Sequence, residues 1–178
     1  VLGDEAAGDA SPGPVAWVHG TAMRSEANNF PGRDEVDPQA SRDCAADVFG
    51  QVGITNPRAE IDVVEMYVPF SWFEPMWLES IGFAERDQGW RMVEEGATRL
   101  DGGDLPVNTD GGLKSFGHPV GASGLRMHYE AWLQLRGRAP EERRIGTLGD
   151  RSRALVHNLG GYPGEMVSFV SIVGTEKD

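Results

Sequence analysis

Residues 111–124 read GGLKSFGHPVGASG, five glycines around a single histidine, His118. Glycine alone tolerates positive φ and has no side chain to obstruct a neighbour, so such a stretch either turns sharply or lets backbone approach a ligand. It lies between LPVN, which reads as a short strand, and a run from Val120 to Arg136 that Gly137 ends. In that run Leu125, His128, Trp132 and Leu135 recur on one helical face. A strand, a glycine-rich loop and an amphipathic helix in this order point to a layered α/β fold with His118 at the start of a helix.

The same alternation runs through the rest of the chain. PVAWVHGTAM has the period of a half-buried strand, and the polar, Pro- and Gly-broken RSEANNFPGRDEVD reads as a long loop. Over residues 38–52, Ala40, Cys44, Ala45, Val48, Phe49 and Val52 form a helical stripe, with Asp37 suited to the N-cap and Pro38 to the first helical position. GITNPRAE is a turn cluster, and IDVVEMYV a buried-strand pattern that stops at Pro69. In SWFE, Ser71 and Glu74 have capping-box spacing; Phe73, Trp77 and Ile81 follow every four residues, and Pro75 distorts only the first turn. DQGWRMVEEGATRLDGGD predicts a short helix and a turn, and RALVHN and EMVSFVSIVG predict two strands joined by LGGYPG. The predicted order β, α, β, α, β, α, β, β gives an α/β sheet with a mixed edge. Residues 1–13, small and acidic, are expected to be a surface connection, with residues 14–178 forming the domain.

Composition narrows the function. A net charge of −12 argues against general nucleic-acid affinity, which needs clustered Lys and Arg, whereas an anionic ligand remains compatible with helix N-termini and loop amides. The 178 residues suffice for one domain or for one half of a larger duplicated protein. No run approaches the roughly 18–20 apolar residues of a membrane helix, and no signal-peptide pattern opens the chain, so no membrane partner and a cytoplasmic location are expected. The one cysteine, Cys44, excludes an internal disulfide and a cysteine-based zinc site, and on an apolar stripe it reads as a core thiol. No histidine has ligand spacing to a second histidine or carboxylate, so no metal is expected. Asp110 reads as a turn residue, and Glu94–Glu95 and Glu141–Glu142 as solvated surface. The opening VLGDEAAGDASPG lacks methionine, and the chain is expected to be part of a longer polypeptide or a cleavage product.

Three blocks, in order, resemble the C-terminal half of the thiolase superfamily. VNTDGGLKSFGHPVGASG is similar to the family's Gly-His-Pro loop and the helix after it. IDVVEMYVPFS stands where typical thiolases carry Asn-Glu-Ala-Phe and sterol-carrier-type thiolases His-Asp-Cys-Phe. ALVHNLGGYPGEMVSFVS resembles the final hairpin, where many members hold Cys-x-Gly and the sterol-carrier type a pattern like HNLG. A lone Gly-His-Pro is weak, but three blocks in the family's order over roughly residues 14–174 are specific. The resemblance implies one half of a thiolase-like layered fold, a mixed five-stranded sheet covered by helices, with the active site between two such halves. It places the nucleophilic cysteine in the other half. The implied partner is therefore an N-terminal thiolase half, on the same or a separate polypeptide, in a homo- or hetero-oligomer, with a small accessory subunit as a further candidate.

The implied reaction cleaves or forms a carbon–carbon bond in a 3-oxoacyl-CoA through an acyl-cysteine, with coenzyme A a substrate and no tightly bound cofactor. A thiol of pKa about 8.5 benefits from an adjacent imidazole and a helix N-terminus, and His118 is placed to supply the first. After acylation an Nε2–H donor could stabilise the developing oxyanion. Gly160 and Gly161 stand where the family's other oxyanion hole takes a backbone N–H, although an ordinary hairpin turn is the alternative. Gly117, Pro119, Gly121 and Gly161 are the positions expected beside the acyl-CoA. The departures matter as much. Tyr67 replaces the family's Asn or His, Pro69 the sterol-carrier-type cysteine, and Asn158 aligns with the second catalytic cysteine of ordinary thiolases. A base for the α-proton then has to come from His118, His157, Tyr67 or Tyr162 within this half. Tyr67 reads equally as an acid/base group or as a packed strand aromatic, while His157 reads as structural and His19 and His128 as core or strand residues. Two other readings stay open: a retro-aldolase on a 3-hydroxyacyl-CoA, of the kind that shortens steroid side chains, favoured by Tyr67, and a non-catalytic thiolase-fold partner subunit.

Overall fold

A computed structural model describes residues 2–26, 34–146, 148–149, 152–161 and 167–177. Its elements are α1 (Glu5–Asp9), β1 (Trp17–Ser25), α2 (Gln39–Val52), α3 (Pro57–Glu60), β2 (Val63–Met66), α4 (Phe73–Ser80), α5 (Gly89–Glu94), α6 (Gly112–Phe116), α7 (Ser123–Leu135), β3 (Arg153–Gly160) and β4 (Val167–Gly174). The strands form one sheet in the order β1-β4-β3-β2. β4 runs antiparallel to both β1 and β3, whereas β2 runs parallel to β3.

Among the described residues the sheet therefore has four strands rather than the expected five. LPVN, the predicted strand, contributes only the parallel bridge between Val64 and Val107 beside β2. Pro106 has no N–H to extend the pairing, and Asn108 turns the chain away at φ +52° after its N–H has bonded Val64 O. Two further corrections concern helix starts. Pro38, not Asp37, is the cap residue of α2; the Asp37 carboxylate is engaged by Ser80 Oγ and Arg42 instead. Helix α4 starts at Phe73 with no side-chain cap, so the Ser71–Glu74 spacing makes no capping box, and Pro75 falls in the first turn, where no intrahelical donor is needed. The surface connection expected at the N-terminus contains the short exposed helix α1.

Three layers result. On one face of the sheet α2 and α4 cover Val64, Met66, Leu155, Val170 and Ile172, and Trp77 and Leu78 are fully buried there. This face is mainly apolar, with Ser41, Ser168 and His157 as buried exceptions, which is why the stripes of α2 and of Phe73, Trp77 and Ile81 are readable in the sequence. Gly53, in the left-handed region, closes α2 as Ile54 N–H bonds back to Phe49 O. On the other face α7 covers Val63, Ala154, Val156 and Val173. The buried stripe of α7 is Met127, Glu130, Ala131, Gln134 and Leu135. Of the predicted stripe only Leu135 is buried, and Leu125 is 63% exposed. Two buried polar residues made the true face invisible to a hydrophobic pattern. Among the described residues, no helix is long and apolar enough to cross a membrane.

Candidate functional site

The edge strand β2 and the start of α7 converge on His118. β2 delivers Tyr67 just past its last paired residue, and the Trp77 indole N–H fixes that position from the far side of the sheet by donating to Tyr67 O at 2.6 Å. The glycine-rich loop is tied to the same strand, since Asn108 Oδ1 accepts from Met66 N–H at 2.8 Å. A turn at Gly111 and Gly112 leads into α6, and Gly117, at φ +99° and with no atom crowding a Cβ, releases the chain toward His118. Ala122 and Ser123 N–H groups then close on Pro119 O, at 2.6 and 3.0 Å, and start α7.

The His118 ring is exposed and its two nitrogens have distinct partners. Nδ1 lies 2.7 Å from Ser123 Oγ, and that hydroxyl in turn reaches Pro119 O at 3.3 Å. With the Ser123 proton given to Pro119 O, Nδ1 is the donor of its pair, and Nε2 presents a lone pair. Nε2 faces the Tyr67 hydroxyl at 3.4 Å, with the rings edge to face at 5.4 Å. The ring thus presents an acceptor nitrogen, its orientation set by a serine, next to a phenol able to donate a proton. The positive end of α7 beside it favours a developing anion.

The structure brings Tyr67 and His118 together and sets Asn158 close by. Asn158 projects from β3 onto the first turn of α7, where a Cβ at Gly124 would come within 2.9 Å of its Nδ2; glycine is needed for that approach. Asn158 Oδ1 is buried without a hydrogen-bond partner among the described residues. Gly160 ends β3 and Gly161 follows it at φ +92°; both are exposed, as are Pro119 and Gly121. Tyr162 and Pro163 lie outside the described residues. His157 is not at the site: it projects to the opposite face against Trp77 (ring centroids 4.9 Å), and burial drives its pKa down to about 3. Cys44 is a core thiol, fully buried near Ala22 O and Ser168 O, with burial raising its pKa. Asp110 serves the turn by accepting from Gly112 N–H and also pairs with Arg126 of α7. Sequence reasoning missed Ser123; the available signal was its place five residues after His118, on the helix start where a hydroxyl reaches back.

A separate groove of about 1140 Å³ lies away from this site, between the N-terminal segment, β1 and the outer face of α7; Trp17, Leu125, His128 and Trp132 line it. His128 is fixed there by Gly124 O and Ser171 Oγ, and His19 Nε2 contacts Glu176 O. Among the described residues no group of three or more His, Cys, Asp or Glu side chains could hold a metal ion.

A mixed α/β sheet covered by helices on both faces, with a histidine exposed in the glycine-rich loop at the start of α7, is the arrangement of the thiolase-fold class. The chain belongs to the thiolase C-terminal domain-like family, whose model matches residues 22–174. It is 38% identical over 132 residues to an acetyl-CoA acetyltransferase of Methanothermobacter thermautotrophicus, covering 74% of this chain and 33% of the relative. It is also 38% identical over 126 residues to human sterol carrier protein 2, covering 71% of this chain and 21% of that protein. The chain thus spans a third or less of these relatives. Among solved structures, the Ltp2-ChsH2(DUF35) aldolase shares the fold with a TM-score of 0.74 at 22% identity, over 94% of this chain and 41% of that one. An SCP2-thiolase-like protein of Mycobacterium smegmatis matches at 0.62 and 19%, over 92% and 30%.

Proposed function

We propose that the chain is the C-terminal half of an atypical thiolase-type enzyme that cleaves or forms a carbon–carbon bond in a CoA thioester, its nucleophilic cysteine coming from an N-terminal half. The observation that carries this is the His118 ring, exposed at the start of α7 with Nδ1 held by Ser123 and Nε2 beside the Tyr67 hydroxyl. In thiolysis Nε2 takes the proton of the external thiol, and the thiolate attacks C3 of a 3-oxoacyl-CoA. The C2–C3 bond breaks, its electron pair passing into the enolate of the shortened acyl-CoA. Tyr67, hydrogen-bonded to His118, is placed to return a proton to that carbon. Coenzyme A then takes the acyl group from the cysteine. Gly117, Pro119 and Gly121 give the ester an unobstructed approach, and the Gly160–Gly161 turn offers backbone N–H groups for a second oxyanion.

A second reading is favoured by the Tyr67–His118 contact in a chain without a basic thiol at either family position. Here a deprotonated Tyr67 removes the hydroxyl proton of a 3-hydroxyacyl-CoA, the C2–C3 bond breaks, and a carbonyl product and an acyl-CoA enolate form, the enolate then being protonated. One experiment separates the two. The complete protein is incubated with 3-oxoacyl-CoA and with 3-hydroxyacyl-CoA, and protein-bound acyl groups are sought by mass spectrometry. A trapped acyl-cysteine supports thiolysis. Cleavage of the hydroxy ester without acylation, lost in Tyr67→Phe, supports the aldolase. Neither acylation nor cleavage over a range of chain lengths would leave the non-catalytic subunit.

A further inference from the structure

Behind the site, between β2 and α7, lies a buried polar network that the chemistry above does not use. Glu65 of β2 is fully buried, and Glu130 of α7 is 2% exposed. Thr109, in the glycine-rich loop, joins them: its N–H donates to Glu65 Oε1 at 2.9 Å, and its hydroxyl lies 3.2 Å from Glu65 Oε1 and 2.8 Å from Glu130 Oε1. Gln134 Nε2 also donates to Glu130 Oε1, at 2.8 Å, and Arg143 pairs with the same carboxylate. Asp110, next to Thr109, pairs with Arg126. The charged groups that act on Glu65 are Glu130 and Arg126, both from α7; Arg126 is itself paired with Asp110 of the loop, and Glu130 with Arg143 of the turn after α7, and the register neighbour of Glu65 on β3 is Val156. Three acids meet two guanidinium groups, each already assigned to another carboxylate, and Glu65 is the acid left over.

We propose that Glu65 is a positioning residue for the His118–Tyr67 pair: its buried carboxyl fixes the glycine-rich loop against β2 through Thr109. The geometry requires this coupling. Tyr67 follows Glu65 by two residues on the same face of the strand, and the loop that ends in His118 is pinned at Asn108 to Met66, at Thr109 to Glu65 and Glu130, and at Asp110 to α7. A second carboxylate cannot share Thr109 with Glu130 without repulsion in a dry environment. Burial and the Glu130 charge accordingly raise the Glu65 carboxyl to about 8, against the opposing hydrogen bonds of Thr109 and the charge of Arg126. Above that pH Glu65 ionises, the Thr109 N–H is held more tightly, and the charge repels Glu130 across the hydroxyl they share, so the clamp rearranges. A single buried acid thereby links alkaline pH to the spacing of the exposed pair.

The inference rests on the reading of His118 and Tyr67 as the reacting pair, so its test reads ring environment and not turnover. In the complete protein with 13C-labelled histidine, the His118 Cε1–H resonance is identified by its loss in His118→Asn and followed from pH 6 to 10. The expected result is an inflection near pH 8, abolished in Glu65→Gln, which keeps an acceptor for Thr109 N–H but carries no proton to lose. Persistence of the inflection in Glu65→Gln, or none in the parent protein, overturns the proposal. Thr109→Val removes the hydroxyl bridge while keeping the backbone bond, and it should shift the His118 resonance at pH 7, with Thr109→Ser restoring it. If Glu65→Gln does not fold, this pair decides, and an unmoved resonance in Thr109→Val overturns the proposal. Loss of turnover in His118→Ala with this coupling absent would count against Glu65 alone, whereas intact coupling in a protein without activity on CoA esters would count against the proposed function alone.

Discussion

The two faces of the sheet solve the burial of a titratable group in opposite ways. Toward α2 and α4, His157 sits among apolar neighbours, with neither ring nitrogen hydrogen-bonded among the described residues, and burial alone keeps it neutral. Toward α7, Glu65 shares Thr109 with Glu130, a buried network anchored in the loop that leads to His118. The first face is a packed support whose polar group faces inward; the second is wired to a loop. A shared strand order therefore separates stability from chemistry: residues 63–67 alternate between the two, and Tyr67 contributes a carbonyl to one side and a phenol to the other.

The largest effect that would test this division is Trp77→Ala. Trp77 is fully buried against His157 and holds Tyr67 O, so its truncation should cost about 3–5 kcal/mol of folding stability, visible as a lower urea midpoint. A loss below 1 kcal/mol would mean that the apolar face is not the support claimed here. Next comes His118→Ala in the complete protein, expected to reduce kcat by about 100-fold or more while leaving the urea midpoint within about 0.5 kcal/mol, because the ring is exposed. Equal damage to stability would blur the two faces. Smallest is His157→Leu. A neutral imidazole buried without a hydrogen bond costs about 1–3 kcal/mol, so the variant should gain roughly 1 kcal/mol at pH 7. Its acid limb should change too. The folded-state pKa of about 3 lies below the ordinary 6.5, so the folded protein binds fewer protons than the unfolded chain, and this site lowers stability as pH falls from about 6.5 toward 3. Removing the imidazole should flatten thermal midpoints over that window; an unchanged slope would show that the ring is solvated. Glu65 gives the opposite sign, with stability falling as pH rises from about 4.5 to about 8.

Legibility in the sequence followed the same division. α2, β1, β3, β4 and the Phe73–Trp77–Ile81 stripe could be read because they face an apolar environment, where periodicity is the signal. The helix after the glycine loop was found, but its buried side was misread, because Glu130 and Gln134 occupy positions where only a three-dimensional network can satisfy them. LPVN was given a strand because Val107 is β-prone, yet Pro106 and the turn at Asn108 reduce it to one bridge. At the site, His118, Tyr67 and Asn158 were legible through three motif blocks. Ser123 and Glu65 were not, since neither carries a pattern of its own, and each gains meaning only from the partner that folding brings within about 3 Å.

The sealed position of Cys44 has a practical outcome. With its sulfur enclosed between β1 and β4 and held protonated, Cys44 should stay unalkylated when iodoacetamide is applied to the native protein at neutral pH. Any carbamidomethyl group recovered under those conditions would then map a reactive thiol lying beyond these 178 residues.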